Sequence, residues 1–300
     1  VGAIDDVVDL PALVKLLGQV AASVTMILVA PELRVEFFTF PFLGHVDTGD
    51  LAAPLTVIGL VAVMNVVNLS DGADGLAAGV CAIAAISFSI IAFDAGYTAP
   101  GVLSAIVAGA ALGFLAHNFH PASVFMGDSG SNLLGLLLGT VAIAGAVKTG
   151  ALVALFLPLL VLAVPFLDTT FVVLKRMKYR RPVYRADANH FHHRLSRIGF
   201  SQRRTVLYLY AWTLMLGGVA VATRFVPYSD GHGHLHAGWS IVMGAILVVA
   251  FLASVYLVYV LEILKFRRLL RRQQPARSDE QIDADVERGL ETGEFEAISR

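Results

Sequence analysis

The residues of this chain with chemical reach are short groups of Asp, Asn and His set in apolar surroundings. In FMGDSGS (125–131), Gly127 and Gly130 bracket Asp128, while Ser129, Ser131 and Asn132 lead into an apolar run. A carboxylate so placed can ligate a divalent cation or cap the helix that follows; the same helix N-terminus attracts an anion. In NVVNLSDGADG (65–75), Asn68, Asp71 and Asp74 recur at every third residue, with Gly72 and Gly75 allowing close backbone approach. Hard oxygens at that spacing suit Mg²⁺ or the polar edge of a nucleotide; the plain alternative is a pair of turns before a helix. DDVVD (5–9) crowds Asp5, Asp6 and Asp9, which raises one carboxyl pKa or recruits a cation, unless Asp9 simply caps the helix opened by Pro11. RADANHFHHRL (185–195) supplies Asp187, His190, His192, His193 and Arg194, a donor set fitted to a diphosphate. Zinc on Asp187 and His190, or a basic loop set by topology, are its rivals. The alternating His232, His234 and His236 read as an ordinary polar loop.

The elements that must position these groups are membrane helices. Of the 300 residues, 57% are hydrophobic and 15% charged, with a mean hydropathy of +0.73. Apolar runs cover roughly 16–30, 51–67, 76–93, 101–117, 132–147, 150–174, 205–226 and 238–264, most of them near the ~20 residues that span a bilayer. This predicts an all-α, polytopic transmembrane bundle of about eight spans. Residues 31–43 read as an interfacial continuation of the first run, and Pro158 and Pro165 as the site of a kink in the sixth. The single cysteine, Cys81, excludes an internal disulfide and a thiolate metal site.

With the start of the chain in the cytoplasm, all but Arg34, Lys148 and Arg224 of the 22 Lys and Arg fall on the inner side. The same orientation brings DDVVD, NLSDGADG, FMGDSGS and the histidine loop to one face, although the charge count did not require it. Ionisable groups at a membrane are costly and mark function. Residues 1–264 are thus expected to form a membrane domain with cytoplasmic site loops, and 265–300, basic and then acidic, a disordered cytoplasmic tail.

Carboxylates, a divalent cation and His/Arg donors at the inner face suit phosphoryl transfer between a soluble nucleotide and a lipid. A prenyltransferase would share DDVVD but leave the histidines unexplained; a transporter would place charges within the spans. The four motifs, in order, resemble the polyprenyl-phosphate N-acetylhexosamine-1-phosphate transferases (glycosyltransferase family 4) over roughly residues 2–265. HFHHRL followed by GFSQRRTVL is more similar to the WecA/TagO group than to the phospho-MurNAc-pentapeptide transferases. The resemblance implies transfer of a HexNAc 1-phosphate, GlcNAc 1-phosphate foremost, from a UDP-sugar to undecaprenyl phosphate in a bacterial plasma membrane, with release of UMP and with Mg²⁺ or Mn²⁺ as cofactor. It implies that Asp5 and Asp6 engage the acceptor phosphate or the metal, and that Asp128 is the principal metal ligand, with Asp71 near the metal. Asn68, Asp71 and Asp74 then form the nucleotide loop, and Asp187, His190, His192, His193 and Arg194 hold the diphosphate and sugar. The partners so implied are the UDP-sugar, the polyprenyl phosphate and membrane lipid, without nucleic acid; a homodimer is compatible with them. The family also carries spans before its aspartate pair, and this chain, opening four residues ahead of Asp5, is expected to lack them.

Overall fold

The computed structural model describes residues 1–8, 10–40, 44–149, 161–178, 195, 199–226, 237–273 and 281. The helices are α1 (Gly2–Val8), α2 (Ala12–Val29), α3 (Ala52–Ser70), α4 (Leu76–Asp94), α5 (Thr98–Asn118), α6 (Gly127–Thr149), α7 (Ala163–Lys178), α8 (Gln202–Phe225) and α9 (Ala237–Gln273). Among the described residues, five helical segments are long and apolar enough to cross a membrane: Ala12–Val29, Gly49–Ser70, Leu76–Asp94, Thr98–Asn118 and Gln202–Ala222. The chain is an all-α polytopic membrane protein, with helix in the described part of each predicted apolar run.

Helix α4 is the hub of the bundle. Ala77, Ala78, Ala82, Ala84 and Ala85 are almost wholly buried along it, and small side chains of this kind let helices approach closely where lipid removes the hydrophobic drive. One apolar core joins Val67, Cys81, Phe88, Val107, Leu138 and Leu162. A second joins Leu76, Val80, Val164, Leu209, Trp212 and Leu216, and Trp212 donates from Nε1 to Ser254 Oγ at 3.1 Å to tie α8 to α9. Leu13, Leu17 and Leu28 on α2, and Ile241, Val249 and Phe251 on α9, point outward, as lipid contact requires.

Two of the expected features take a definite form. After α2 ends at Val29, a 3₁₀ turn at Pro31–Leu33 leads into an antiparallel strand pair, β1 (Phe37–Phe40) and β2 (Gly44–Asp47), with Phe38 opposite Val46. Pro31 ends the helical register, and the aromatic and β-branched run favours a strand. Val35 N–H donates to Thr56 Oγ1 at 2.9 Å, and Thr48 Oγ1 donates to Val35 O at 2.7 Å, fastening the strand pair to the start of α3. Val161 is helical, Leu162 is a turn and α7 begins at Ala163, so the described part of this run is interrupted within a turn of Pro165. Pro158 lies outside the described residues, and α9 continues past residue 264 to Gln273.

Candidate active site

The site is built where α1, α2, α3 and α6 meet. Helix α1 is short, and Pro11 starts α2 at a new angle. Asp5, buried, spans that junction: its Oδ1 accepts the Leu10 N–H at 2.7 Å, and its Oδ2 lies 2.6 Å from Lys15 Nζ on the first turn of α2. The Lys15 hydrogen bond holds the Asp5 carboxyl below the usual range, against the opposing effect of burial. Asp9, the expected cap of α2, lies outside the described residues.

Asp6, next in sequence, faces the other way. Its Oδ1 accepts the Asp128 N–H at 2.7 Å, and its Oδ2 accepts the Ser129 N–H at 3.2 Å, so it satisfies the first donors of α6 from another helix. Gly127 makes the approach feasible: its φ is +66°, and a Cβ there would lie 2.6 Å from Asp6 Oδ1.

Asp128 joins three helices. Its Oδ2 accepts from Lys15 Nζ at 3.2 Å, and its Oδ1 accepts from Asn68 Nδ2 at 2.9 Å. Asn68 also donates to Ser131 Oγ at 2.9 Å, while Ser131 donates to Gly127 O at 2.8 Å. Asp5, Asp6 and Asp128 each bring one oxygen within 4.8 Å of the others. Three carboxylates so close could hold a hard divalent cation.

Below this group lies a layer of amides that sequence reading passed over. Gln19 Nε2 donates to Asn132 Oδ1 at 2.8 Å, Asn65 Nδ2 donates to Gln19 Oε1 at 2.7 Å, and Asn132 Nδ2 donates to Asp128 O at 2.7 Å. Gln19 is one turn beyond Lys15, Asn65 one turn before Asn68, and Asn132 one turn beyond Asp128. Each helix thus carries one residue of the acidic layer and one of the amide layer.

The three-residue spacing of Asn68, Asp71 and Asp74 does not make a single ligand array, because α3 ends at Ser70. Asn68 faces Asp128. Asp71, the C-cap of α3, stands outside the carboxylate trio but feels it: burial first, then the charges of Asp128 and Asp6, push its carboxyl up to about 7. Asp74 turns away to His120, whose Nδ1 lies 2.8 Å from Oδ2, and to the Ala122 N–H at 3.2 Å. The His120 hydrogen bond holds Asp74 below the carboxylate range. Gly75, at φ +80°, closes the loop: its N–H donates to Asn118 Oδ1 at 2.9 Å and its carbonyl accepts from Tyr210 OH. The motifs at 5–9, 68–75 and 125–131 therefore share one end of the bundle. Asp187, His190, His192, His193 and Arg194 lie outside the described residues, as do His232, His234 and His236.

A cavity of about 280 Å³ opens beside Lys15 and Asp128, with Gln19 and Asn132 at its polar side and Met64, Leu133 and Leu136 along its walls. Asp168, buried on α7, is a further acid that the sequence reading did not single out.

Carboxylates and amides from four helices thus gather at one end of a helical membrane bundle. Residues 1–146 match the model of glycosyl transferase family 4, and the chain belongs to that family. It is 40% identical over 210 residues to a Bacillus subtilis protein named "Probable undecaprenyl-phosphate N-acetylglucosaminyl 1-phosphate transferase", covering 70% of this chain and 58% of that one. It is 35% identical over 274 residues to the "Decaprenyl-phosphate N-acetylglucosaminephosphotransferase" of Mycolicibacterium smegmatis, covering 85% and 66%. A "Phospho-N-acetylmuramoyl-pentapeptide-transferase" of Desulforudis audaxviator is 38% identical over 221 residues, covering 69% and 64%. The chain thus spans about three fifths to two thirds of the length of the curated relatives it matches.

Proposed function

We propose that the protein transfers N-acetylhexosamine 1-phosphate, GlcNAc 1-phosphate foremost, from a UDP-sugar to a polyprenyl phosphate such as undecaprenyl phosphate, releasing UMP. The observation that carries this reading is the meeting of Asp5, Asp6, Asn68 and Asp128, from three remote segments, beside a cavity polar at one end and apolar along its walls. The names of the relatives favour the same chemistry.

In this reading Asp128 and Asp5 hold Mg²⁺, which supplies the positive charge that offsets the donor diphosphate. Asp6 keeps the N-terminus of α6, and with it Asp128, in place. Asn68 orients the Asp128 carboxylate, and Asp71 and Asp74 belong to the nucleotide side of the site. Asp187, His190, His192, His193 and Arg194 bind the diphosphate and sugar. The polar end of the cavity takes the acceptor phosphate, and its apolar walls take the first part of the lipid. The Lys/Arg bias supports a cytoplasmic-facing site in a bacterial plasma membrane, with residues 265–300 as a cytoplasmic tail.

The test is UMP release by the whole protein from UDP-GlcNAc, undecaprenyl phosphate and Mg²⁺, with Asp128→Asn alongside. Activity that disappears in Asp128→Asn supports the reading. Activity with UDP-MurNAc-pentapeptide alone assigns the chain to the pentapeptide transferases, whose names also occur among its relatives. Silence of the folded protein with both donors overturns it.

A further inference from the structure

Each of the six carboxylate oxygens of Asp5, Asp6 and Asp128 has a hydrogen-bond partner. Four of these partners are fixed by the fold: the Leu10, Asp128 and Ser129 N–H groups and the Asn68 amide. The other two oxygens, Asp5 Oδ2 and Asp128 Oδ2, share Lys15 Nζ at 2.6 and 3.2 Å. Lys15 differs from the fixed partners in kind. It sits on a flexible four-carbon stem, its side chain is 32% exposed, and the 280 Å³ cavity that it lines gives its ammonium room to move. The backbone donors are held against their carboxylates by the chain itself, whereas Lys15 can swing away and keep its ammonium hydrated.

We infer that Lys15 is a resident counter-cation of this acidic group, and that it leaves its place between Asp5 and Asp128 when a divalent cation binds there. The inference rests on the metal reading above. An ammonium and a divalent cation seek the same hard oxygens, and like charges a few ångströms apart repel strongly away from bulk water. Lys15 therefore weakens metal binding by competition, while keeping the carboxylates together until the metal arrives. A binding curve shows the first effect, and the chemical accessibility of the Lys15 amine shows the exchange itself.

The whole protein in detergent is titrated with Mn²⁺, free ion being read by electron paramagnetic resonance, as wild type, Lys15→Met and Lys15→Arg. Lys15→Met is expected to bind Mn²⁺ about tenfold more tightly than wild type, and Lys15→Arg, which keeps the charge, is not. In parallel, acetylation of Lys15 in the wild type, mapped by mass spectrometry against the other lysines, is expected to rise severalfold when Mg²⁺ is added. Unchanged or weaker binding by folded Lys15→Met, or acetylation indifferent to Mg²⁺, overturns the exchange. If Lys15→Met does not fold, the wild-type acetylation decides. Absence of saturable Mn²⁺ binding in every form removes the metal reading itself and the exchange with it, an outcome distinct from binding that Lys15 does not influence.

Discussion

The carboxylate of Asp6 caps the helix that carries Asp128, accepting the Asp128 N–H at 2.7 Å across 122 residues of sequence. Asp5, its neighbour, makes no such contact and turns instead to Leu10 and Lys15. The two aspartates therefore separate by experiment. Asp6→Ala removes the acceptor for two N–H groups and is expected to lower stability by about 1 kcal/mol, the usual effect of losing a helix cap. Thermal unfolding in detergent measures it. If Asp6→Ala unfolds like the wild type, the cap contributes nothing.

Gly127 gives a sharper test of the same contact. Alanine there meets both the left-handed φ of +66° and the Asp6 carboxylate at 2.6 Å. Gly127→Ala is expected to cost about 1–3 kcal/mol and to reduce UMP release. Gly113 in α5 has open space around it and an ordinary helical φ. Gly113→Ala is therefore expected to be neutral or stabilising, by up to ~1 kcal/mol. Equal effects at the two glycines would rule out the steric account of Gly127.

The amide layer predicts coupling between α2 and α6. Gln19 and Asn132 share a 2.8 Å hydrogen bond, and a double-mutant cycle with Gln19→Leu and Asn132→Leu is expected to yield about 0.6–1.7 kcal/mol, the range for such bonds between membrane helices. Additive effects would mean that the two amides do not support each other.

Asp71 sets a pH dependence. Its carboxyl lies near 7 in the folded protein, against a reference value of 3.8, so the folded state favours the neutral form. Ionisation then costs stability, and the penalty grows as pH rises from about 4 to about 7 and levels off above. Asp71→Asn removes the penalty. It is expected to raise the unfolding temperature more at about pH 8 than at about pH 5 in metal-free buffer, and Mg²⁺ is expected to narrow the difference. Asp74 behaves oppositely: depressed by His120, it contributes stability at neutral pH that is lost as pH falls through its folded pKa. A gain from Asp71→Asn that is the same at both pH values would contradict the burial of Asp71 and its response to the charges of Asp128 and Asp6.

The bundle was legible in the sequence because apolar length and Lys/Arg placement are properties of whole segments, insensitive to local detail. The meeting of Asp5, Asn68 and Asp128 was legible for the same reason, since topology alone carries their motifs to one face. Lys15 was not. Its partnership with Asp5 depends on the helix break before Pro11, where Asp5 also accepts the Leu10 N–H; a lone lysine at the head of an apolar run was the available signal. His120 escaped for a similar reason: the end of α3 at Ser70 sends Asp74 away from Asp71, and periodicity read beyond a helix end gives the wrong neighbour. The strands Phe37–Phe40 and Gly44–Asp47 did not show in the segment read as interfacial, because four-residue strands are too short for alternation to stand out. Gln19, Asn65 and Asn132 are single amides on three separate helices, and no pattern within one segment marks them as a layer.

The ion pair between Lys15 and Asp5 has a bearing on how the protein is made. Both residues leave the ribosome close together, whereas Asp128 follows Lys15 by 113 residues. At ~5–20 residues per second, synthesis leaves roughly 6–23 s between them. During that interval Lys15, ten residues on, is a cation already within reach of Asp5 along the chain. The pair of Lys15 with Asp5 is thus local enough to form before α6 is made, whereas its extension to Asp128 has to wait for α6.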